Sequence, residues 1–395
     1  MRIPIALALP LAAGCVAEPH GLDPLARKAP TPTRYGVVEV PASLGGTNSR
    51  PNSIDELGAI AGFSNLPDNQ TRHAALWRAG ALTDLGTLGG PNSNVAWPGQ
   101  SPDGTLIAGI AENADDQPLG EDWSCSAFFP SVTHKICRGV AWHDGAVTAM
   151  PTLGGDNSFA TGANDRGQVT GWAETTLHDP SCNAPQVLQF LAVVWEPRSG
   201  ALRPLSPMTG ESTSAATAIN RRGQVVGISG ECDVAVGRFS AAHAVLWEPD
   251  GRVVDLGNLG GVSWHTAMAI NEHGDVVGFS NPPGDDDGSF FPHAFLWTRE
   301  LGIVDLGLLP GDDFSEALAI NEDRDVVGLS CGAAGCRAVL WRGGGEPIDL
   351  TTLADPGFPD VLTGAAAIDD AGTITGRARV TATGATVPYV ATPVD

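Results

Sequence analysis

The sequence predicts an all-β protein: a seven-bladed β-propeller with four-stranded blades, closed by the N-terminal strand, which completes the C-terminal blade. Three observations indicate this fold. Four kinds of short apolar segment recur along the 395 residues, each kind occurs seven times, and their order is offset, so that the chain starts on a lone outer strand. The repeat from His293 to Ser330 contains all four, each ended by glycine, asparagine or aspartate. The offset order does not arise from a linear stack of repeats. In a closed ring it has a function, because the first strand of the chain completes the last blade.

The predicted strands of each repeat are named a to d from the centre of the ring outwards. Strand a is rich in small residues, as in the run of three alanines at 365–367, which suits the crowded axis. Strand b ends in glycine in all seven repeats. This recurrence predicts close approach by a bulky group, for which the tryptophan that ends strand c is the candidate. Asn220, Asn271 and Asn321 are predicted to cap their own a–b turns.

Three histidines begin strand c and resemble a functional set: His73, His243 and His293. Other residue types fill the same place in the remaining repeats, among them Arg138, Leu191 and Arg337. We therefore predict that the histidines are hydrogen-bonded parts of the scaffold.

The repeat resembles a known family. The segments HAALW at 73–77, AHAVLW at 242–247 and PHAFLW at 292–297, followed by DLG and AIN…VVG segments, are similar to the HAF repeat of bacterial extracellular proteins. The resemblance covers about residues 34–395 and implies a secreted or surface location. It implies no defined reaction and assigns no catalytic residue.

The charge of the chain excludes some partners. With 22 basic and 45 acidic residues the formal net charge is −23. Such a surface repels nucleic acids and anionic membranes, so neither is an expected partner. We expect a monomer.

The N-terminus predicts export. Arg2 and the apolar run that follows, which is too short to span a bilayer, indicate a signal peptide over residues 1–17. The segment from Leu11 to Cys15 resembles the lipobox of bacterial lipoproteins, which implies lipidation of Cys15. Cleavage after Ala17, with loss of Cys15, is the alternative. The proline-rich residues 18–33 would form a tether to the propeller of residues 34–395. The expected location is the cell envelope, lipid-anchored and periplasmic or at the surface, or secretion, with membrane contact only through the lipid.

The other six cysteines predict disulfides in an oxidising compartment. Each lies in a connection between strands b and c, and the natural pairing on the propeller is Cys125–Cys137, Cys182–Cys232 and Cys331–Cys336. Free thiols or a metal site are the alternatives, although no CxxC spacing favours zinc.

A binding site is expected on the face that carries the b–c and d–a connections, because all length variation and all six cysteines lie there. The candidate ligand-binding residues on this face are Asn92, Asn157, Trp123, Trp264 and His265. The alternative for the aromatic residues is that they cover gaps under long loops. Asp285 and Asp287 are candidate calcium ligands, with a solvated turn as the alternative, and no other cofactor is expected.

The leading functional hypothesis is a non-enzymatic binding module for a protein or a glycan. No HExxH or Walker motif occurs, and strand a is interpreted as nearly free of carboxylates, so no catalytic residue is assigned. One alternative is a propeller glycoside hydrolase or lyase, which would need carboxylates converging at the channel mouth with a raised pKa on one. The other is a purely structural surface protein, which would have no pocket.

Overall fold

The structure, a computed structural model, describes residues 34–40, 43–234, 237–284 and 287–394. Seven antiparallel sheets of four strands form a seven-bladed β-propeller, which confirms the predicted fold. The signal peptide, Cys15 and the tether lie outside the described residues. Within the described ranges, no helix is long and apolar enough to cross a membrane.

The blades follow one another along the chain, and each runs from its inner strand outwards. Blades 1 to 3 consist of β2 (Ser49–Ile54), β3 (Ile60–Asn65), β4 (Arg72–Arg78), β5 (Ala81–Asp84), β6 (Gly89–Asn94), β7 (Ile107–Asp116), β8 (Lys135–His143), β9 (Ala146–Ala149), β10 (Gly154–Ala163), β11 (Val169–His178), β12 (Leu188–Glu196) and β13 (Ala201–Pro204). Blades 4 to 6 consist of β14 (Thr213–Ile219), β15 (Val225–Gly230), β16 (His243–Trp247), β17 (Val253–Asp255), β18 (Thr266–Ile270), β19 (Val276–Ser280), β20 (His293–Thr298), β21 (Gly302–Gly307), β22 (Phe314–Ile320), β23 (Val326–Gly332), β24 (Gly335–Trp341) and β25 (Pro347–Asp349). The helical turns are α1 (Trp123–Ser126) and the 3₁₀ turns Arg342–Gly344 and Leu350–Leu353.

Blade 7 closes the ring as predicted. It consists of β26 (Val361–Ile368), β27 (Ile374–Arg379), β28 (Thr386–Val394) and, outermost, β1 (Arg34–Glu39) from the other end of the chain. The antiparallel register pairs Val37 with Ala391 and Val38 with Val390. Tyr35 of β1 is buried in a core that also contains Tyr389 and side chains of blade 6. Backbone pairing and apolar burial together therefore join the two ends.

The recurrent glycine of strand b has a different cause from the predicted one. In six of the blades the inner strand has a β-bulge opposite this glycine, as between Ala216 and Ala218. A Cβ at Gly227 would overlap the backbone carbonyl oxygen of Ala215 in the adjacent inner strand. The close neighbour is thus backbone at the bulge, and the predicted role of the strand-c tryptophans was wrong for most blades. Only at Gly109 would a Cβ also meet such a ring, that of Trp142 in the same blade, at 2.7 Å.

The strand-c tryptophans instead join neighbouring blades. The indole Nε1 of Trp142, Trp247 and Trp341 donates a hydrogen bond of 2.8, 2.7 and 2.9 Å to a carbonyl oxygen at the end of the preceding blade's outer strand. Trp195 is equally buried, but its Nε1 has no partner in the part of the chain that the structure describes.

This difference gives a matched pair of variants. Trp341→Phe should lower the free energy of unfolding by about 1–3 kcal/mol more than Trp195→Phe, because only the former leaves a buried carbonyl, that of Leu306, without its donor. The two substitutions remove the same volume, so denaturant titration of both isolates the hydrogen bond. Equal destabilisation would contradict the interblade role.

The histidines that begin strand c are part of the scaffold, as predicted. The Nδ1 atoms of His73, His243 and His293 lie 2.8, 3.1 and 2.8 Å from an aspartate of the adjacent strand d in the same blade. Each aspartate also accepts the N–H of the glycine two residues later. The histidine and the Asp-Leu-Gly of the repeat therefore form one motif that joins the outer strands.

The a–b turns form a belt of acidic residues around the other face. Asn220 Oδ1 accepts the Gln224 N–H of its own turn, as predicted, and its Nδ2 donates to the Asn271 carbonyl of the next blade. At the next position of the turn, a carboxylate of the neighbouring blade accepts the backbone N–H, which continues the belt. These contacts are Arg221 N–H to Glu272, Glu272 N–H to Glu322, Glu322 N–H to Asp370 and Asp370 N–H to Glu56. The last of them crosses the seam between blades 7 and 1.

Candidate functional site

A cavity of about 750 Å³ occupies the central channel at the face that carries the d–a and b–c connections. Its walls come from inner strands, from Thr47 and Asn48 of a d–a loop, and from Phe128 of a b–c insertion. Pro98 and Met268 line both this cavity and a smaller one, of about 200 Å³, at the acidic belt. The elaborated face thus has a pocket, contrary to the expectation for a purely structural protein.

One register position of the inner strand supplies three polar side chains of this cavity, those of Arg50, Asn94 and Glu316. It is the residue that pairs with the position after the strand-b glycine. Around the ring this position is occupied by Arg50, Asn94, Phe159, Ala215, Thr266, Glu316 and Gly364. In blade 7 the partner of Gly364 is Arg377 of β27. A Cβ at Gly364 would lie 3.2 Å from Arg377 Nε, so the glycine leaves room for the arginine to reach the channel.

Glu316 is the only acidic side chain among the described residues that line this cavity. It is partly buried, and within the described ranges its carboxylate makes no hydrogen bond or ion pair with the protein. Burial raises the pKa of Glu316 to about 6, although the charges of Arg377 and Arg50 lower it. Glu316 is therefore an ionised, unpaired base near neutral pH.

Three arginines line the same cavity in a chain of net charge −23, and the charges of two of them, Arg50 and Arg377, act on Glu316. Burial lowers the pKa of Arg50 and of Arg72 to about 10, so both remain cations at neutral pH. Arg72 is fixed by the scaffold, because it donates to Asn65 Oδ1 at 3.0 Å and to the Phe128 carbonyl at 2.6 Å. The guanidinium groups of Arg50 and Arg377, in the described part of the chain, have no hydrogen-bond acceptor. Both can therefore bind an anion that enters the cavity.

The disulfides brace the loops above the cavity. The three bonds join Cys125 to Cys137, Cys182 to Cys232 and Cys331 to Cys336, which is the predicted pairing. The first closes the insertion that carries Phe128. The second joins the insertions of blades 3 and 4, and the third crosses the end of one blade. Asp179 lies near the second bond, but its two cysteines are bonded to each other and so offer no thiolate to a metal.

Two predicted ligand-binding residues are buried in the scaffold. Asn92 and Asn157 have almost no exposed surface. The backbone N–H and side-chain Nδ2 of Asn92 donate to Glu112, and those of Asn157 donate to Glu174. Burial raises the pKa of both glutamates, and the asparagine hydrogen bonds oppose this shift. These asparagines therefore tie the d–a loops to strand b, and their role in ligand binding stays a prediction.

Among the remaining predicted site residues, Trp264, His265 and Asp287 do not line the cavity. His265 is buried and bonds to Ser280 Oγ at 2.8 Å, while Trp264 donates to the Gly288 carbonyl and packs edge-on against Phe290. Trp123 begins helix α1. Asp285 lies outside the described residues, and Asp287 is exposed and accepts the Ser289 N–H. The alternative that the aromatic residues cover loops fits Trp264, and calcium binding stays a prediction.

Sequence reasoning missed Glu316. The repeat pattern places the start of strand a of blade 6 at Ala317, whereas β22 starts at Phe314, so the expectation that the inner strands are nearly free of carboxylates is wrong in this blade. The available signal is charge at one repeat position, where Arg50 and Glu316 are charged and the other blades have uncharged residues.

One sequence match to a hydrolase motif is structural. Residues 328–332 read Gly-Leu-Ser-Cys-Gly, which fits the GxSxG pattern of a nucleophile elbow. They lie inside β23, however, with no following helix, and Ser330 is buried with its Oγ accepting the Leu309 N–H. Ser229 and Ser280 accept a backbone N–H in the same way in their own blades. Ser330 is therefore a repeated scaffold serine.

No family model and no curated protein matches the chain. Solved structures do match. An acylaminoacyl peptidase is similar with a TM-score of 0.51 and 11% identity, over 91% of this chain and 51% of that one. An oligogalacturonate lyase from Vibrio parahaemolyticus is similar with a TM-score of 0.51 and 11% identity, over 92% of this chain and 97% of that one. A prolyl endopeptidase matches with a TM-score of 0.48. The chain spans about half the length of the two peptidases it matches.

These structural neighbours contradict the leading hypothesis from the sequence. The acylaminoacyl peptidase and the oligogalacturonate lyase are both enzymes, and they favour the enzymatic alternative over a non-enzymatic binding module. At 11% identity the similarity establishes only the fold. The reaction must therefore be argued from the residues of the cavity.

Proposed function

We propose that the protein is a lyase that cleaves a uronate-containing oligosaccharide by β-elimination in the channel cavity. The observation that carries the proposal is a single unpaired carboxylate, Glu316, beside the two unpaired guanidinium groups of Arg50 and Arg377. The carboxylate of an acidic sugar would be an anionic partner for these two guanidinium groups. The oligogalacturonate lyase, which matches along nearly its whole length, supports the choice of substrate class.

The cavity supplies two requirements of this elimination. Arg50 and Arg377 bind the sugar carboxylate and stabilise the negative charge that develops on it. Glu316, ionised above its pKa of about 6, removes the C5 proton next to that carboxylate. The electron pair of the C5–H bond forms the C4=C5 double bond as the C4–O bond breaks. The departing oxygen takes up the proton from Glu316, so no water is consumed and nothing is oxidised or reduced.

Hydrolysis fits the cavity less well. Glycoside hydrolases generally use two carboxylates that face each other across the bond. Among the described residues that line the cavity, only Glu316 is acidic, and its neighbours are arginines. An elimination needs one base and a group that neutralises the substrate anion. Glu316 and the arginines of the cavity meet these two needs.

We also propose that the enzyme works outside the cytoplasm, as a member of the HAF-repeat proteins. The three disulfides support an oxidising compartment. Cys15 would carry the lipid anchor, and mass spectrometry of the mature N-terminus tests whether it is lipidated.

The reaction is tested with a panel of uronate oligosaccharides, with digalacturonate and trigalacturonate as the first members. We expect ultraviolet absorbance from a double bond conjugated with a carboxyl group, and product masses that sum to the substrate mass. Neutral oligosaccharides of the same length serve as the control and should not react. Products that have gained one water would refute elimination and indicate a hydrolase.

A further inference from the structure

The inner strand of blade 2 departs from the repeat. Eight positions separate Ser93 from Ser101, whereas six separate the equivalent residues Ser158 and Asn164 of blade 3. Strand β6 ends at Asn94, and the longer segment after it brings Ala96, Trp97 and Pro98 to the wall of the cavity. The longer segment therefore adds a tryptophan to the cavity wall, which elsewhere includes Phe63 and Phe279 of strands β3 and β19.

Trp97 is held firmly in place. Its ring centroid lies 5.1 Å from that of Phe128 and 5.5 Å from that of Phe159, and Phe159 stacks in turn on Trp172. The Phe128 carbonyl accepts hydrogen bonds from Arg72 and from Asn94, which fixes the loop above the indole. Trp97 and Phe128 both line the cavity and form a rigid apolar wall.

This wall contains polar atoms without partners. Trp97 Nε1 and Asn94 Oδ1 are buried and have no hydrogen-bond partner within the described residues. Asn94 is 2% exposed and occupies the register position equivalent to Arg50 and Glu316. Both atoms have almost no accessible surface, so a ligand would contact this wall through its aromatic rings.

The wall lies across the channel from the proposed base. Blades 2 and 6 are three steps apart around the ring of seven, which is the largest separation that the ring allows. A ligand that reaches both Glu316 and Trp97 must therefore cross the channel. The cavity, at about 750 Å³, lies within the range that accommodates ligands larger than one sugar ring.

We propose that Trp97 and Phe128 form a subsite for a second sugar ring. The reacting uronate binds Arg50 and Arg377 at Glu316, and its neighbour stacks on Trp97. This inference rests on the proposed lyase function and adds the place where the second ring binds.

The test compares ligand lengths by calorimetric titration in the Glu316→Gln background, where bound sugars are not turned over. Trp97→Ala should weaken digalacturonate binding about tenfold, the effect of losing one aromatic stacking contact, and leave binding of the galacturonate monomer unchanged. Trp97→Phe keeps a ring and should restore most of the affinity. Phe291→Ala removes an exposed aromatic of the same face outside the cavity and should change neither ligand. Circular dichroism confirms that each variant is folded.

The possible outcomes separate the subsite from the reaction. Equal weakening of monomer and dimer, or no weakening of either, would overturn the second subsite. If the unsubstituted protein binds digalacturonate more tightly than galacturonate but produces no double bond, the reaction is wrong and the subsite stands. If it binds neither sugar, both the proposed function and the subsite are refuted.

Discussion

Glu316→Gln is expected to lower the elimination rate by about 10²–10⁴-fold, the usual contribution of a general base, while sugar binding persists. Glutamine keeps the size of the side chain but cannot take the C5 proton. In the unsubstituted enzyme the rate should rise with pH through about 6, because Glu316 must be ionised and its pKa is raised to that value by burial. A continuous assay of the unsaturated product from about pH 3.5 to about pH 8 measures both effects, because this range includes the ordinary glutamate pKa of about 4.3 and the raised value.

The matched control is Glu322→Gln. Glu322 belongs to the same blade but lines the smaller cavity at the acidic belt, where it accepts the Glu272 N–H and faces His273. Its pKa is also raised, by burial above all, so the control separates a raised pKa from a role in the cavity. We expect its activity to match the unsubstituted enzyme. A Glu316→Gln enzyme that retains full activity would remove Glu316 from the mechanism.

The largest effect on stability is expected at the ring closure. Tyr35→Ala should lower the free energy of unfolding by about 3–5 kcal/mol, the cost of truncating a buried aromatic side chain. Tyr35 is 2% exposed, and burial raises its pKa to about 12. It packs between blades 6 and 7 from the strand that closes the ring. Guanidinium titration followed by fluorescence measures the loss.

Val38→Ala provides the comparison within the same strand. Val38 is 67% exposed, so its truncation should change the free energy of unfolding by no more than about 0.5 kcal/mol. Similar values for the two variants would mean that β1 adds little to blade 7, and closure would then depend on the other contacts between the blades.

The fold was predictable because it depends on periodicity, which a single sequence displays. Seven recurrences of strand-ending residues and an offset order were enough to place β1 beside β28. The cysteine pairs followed from the same geometry, since each pair lies within one loop or in two adjacent loops. Patterns of this kind are robust to errors of one or two residues at strand ends.

The cavity was not predictable in the same way. Glu316 lies one residue outside the strand that the pattern predicts from Ala317. Arg377 lines the cavity from the second strand of its blade, opposite Gly364, where a Cβ would lie 3.2 Å from its Nε. Asn92 and Asn157 were predicted as ligand-binding residues because they are polar and lie in loops of the repeat. In the structure they donate hydrogen bonds to the buried Glu112 and Glu174 of the next strand. The position of a single side chain that contacts a neighbouring strand depends on packing, and a repeat pattern does not predict packing.

The two ends of the channel carry opposite charge, and this affects the route of an anionic molecule. At one end lie Arg50, Arg72 and Arg377, and at the other lie the carboxylates of Glu56, Glu272, Glu322 and Asp370. An acidic sugar approaching the second end is repelled, and Pro98 and Met268 stand between the two chambers. Under the proposed function, substrate and product would both pass the end of the channel that carries the arginines. Since the product keeps its carboxylate, it would compete with incoming substrate for the same arginines. Product release would then be the rate-limiting step at high substrate concentration.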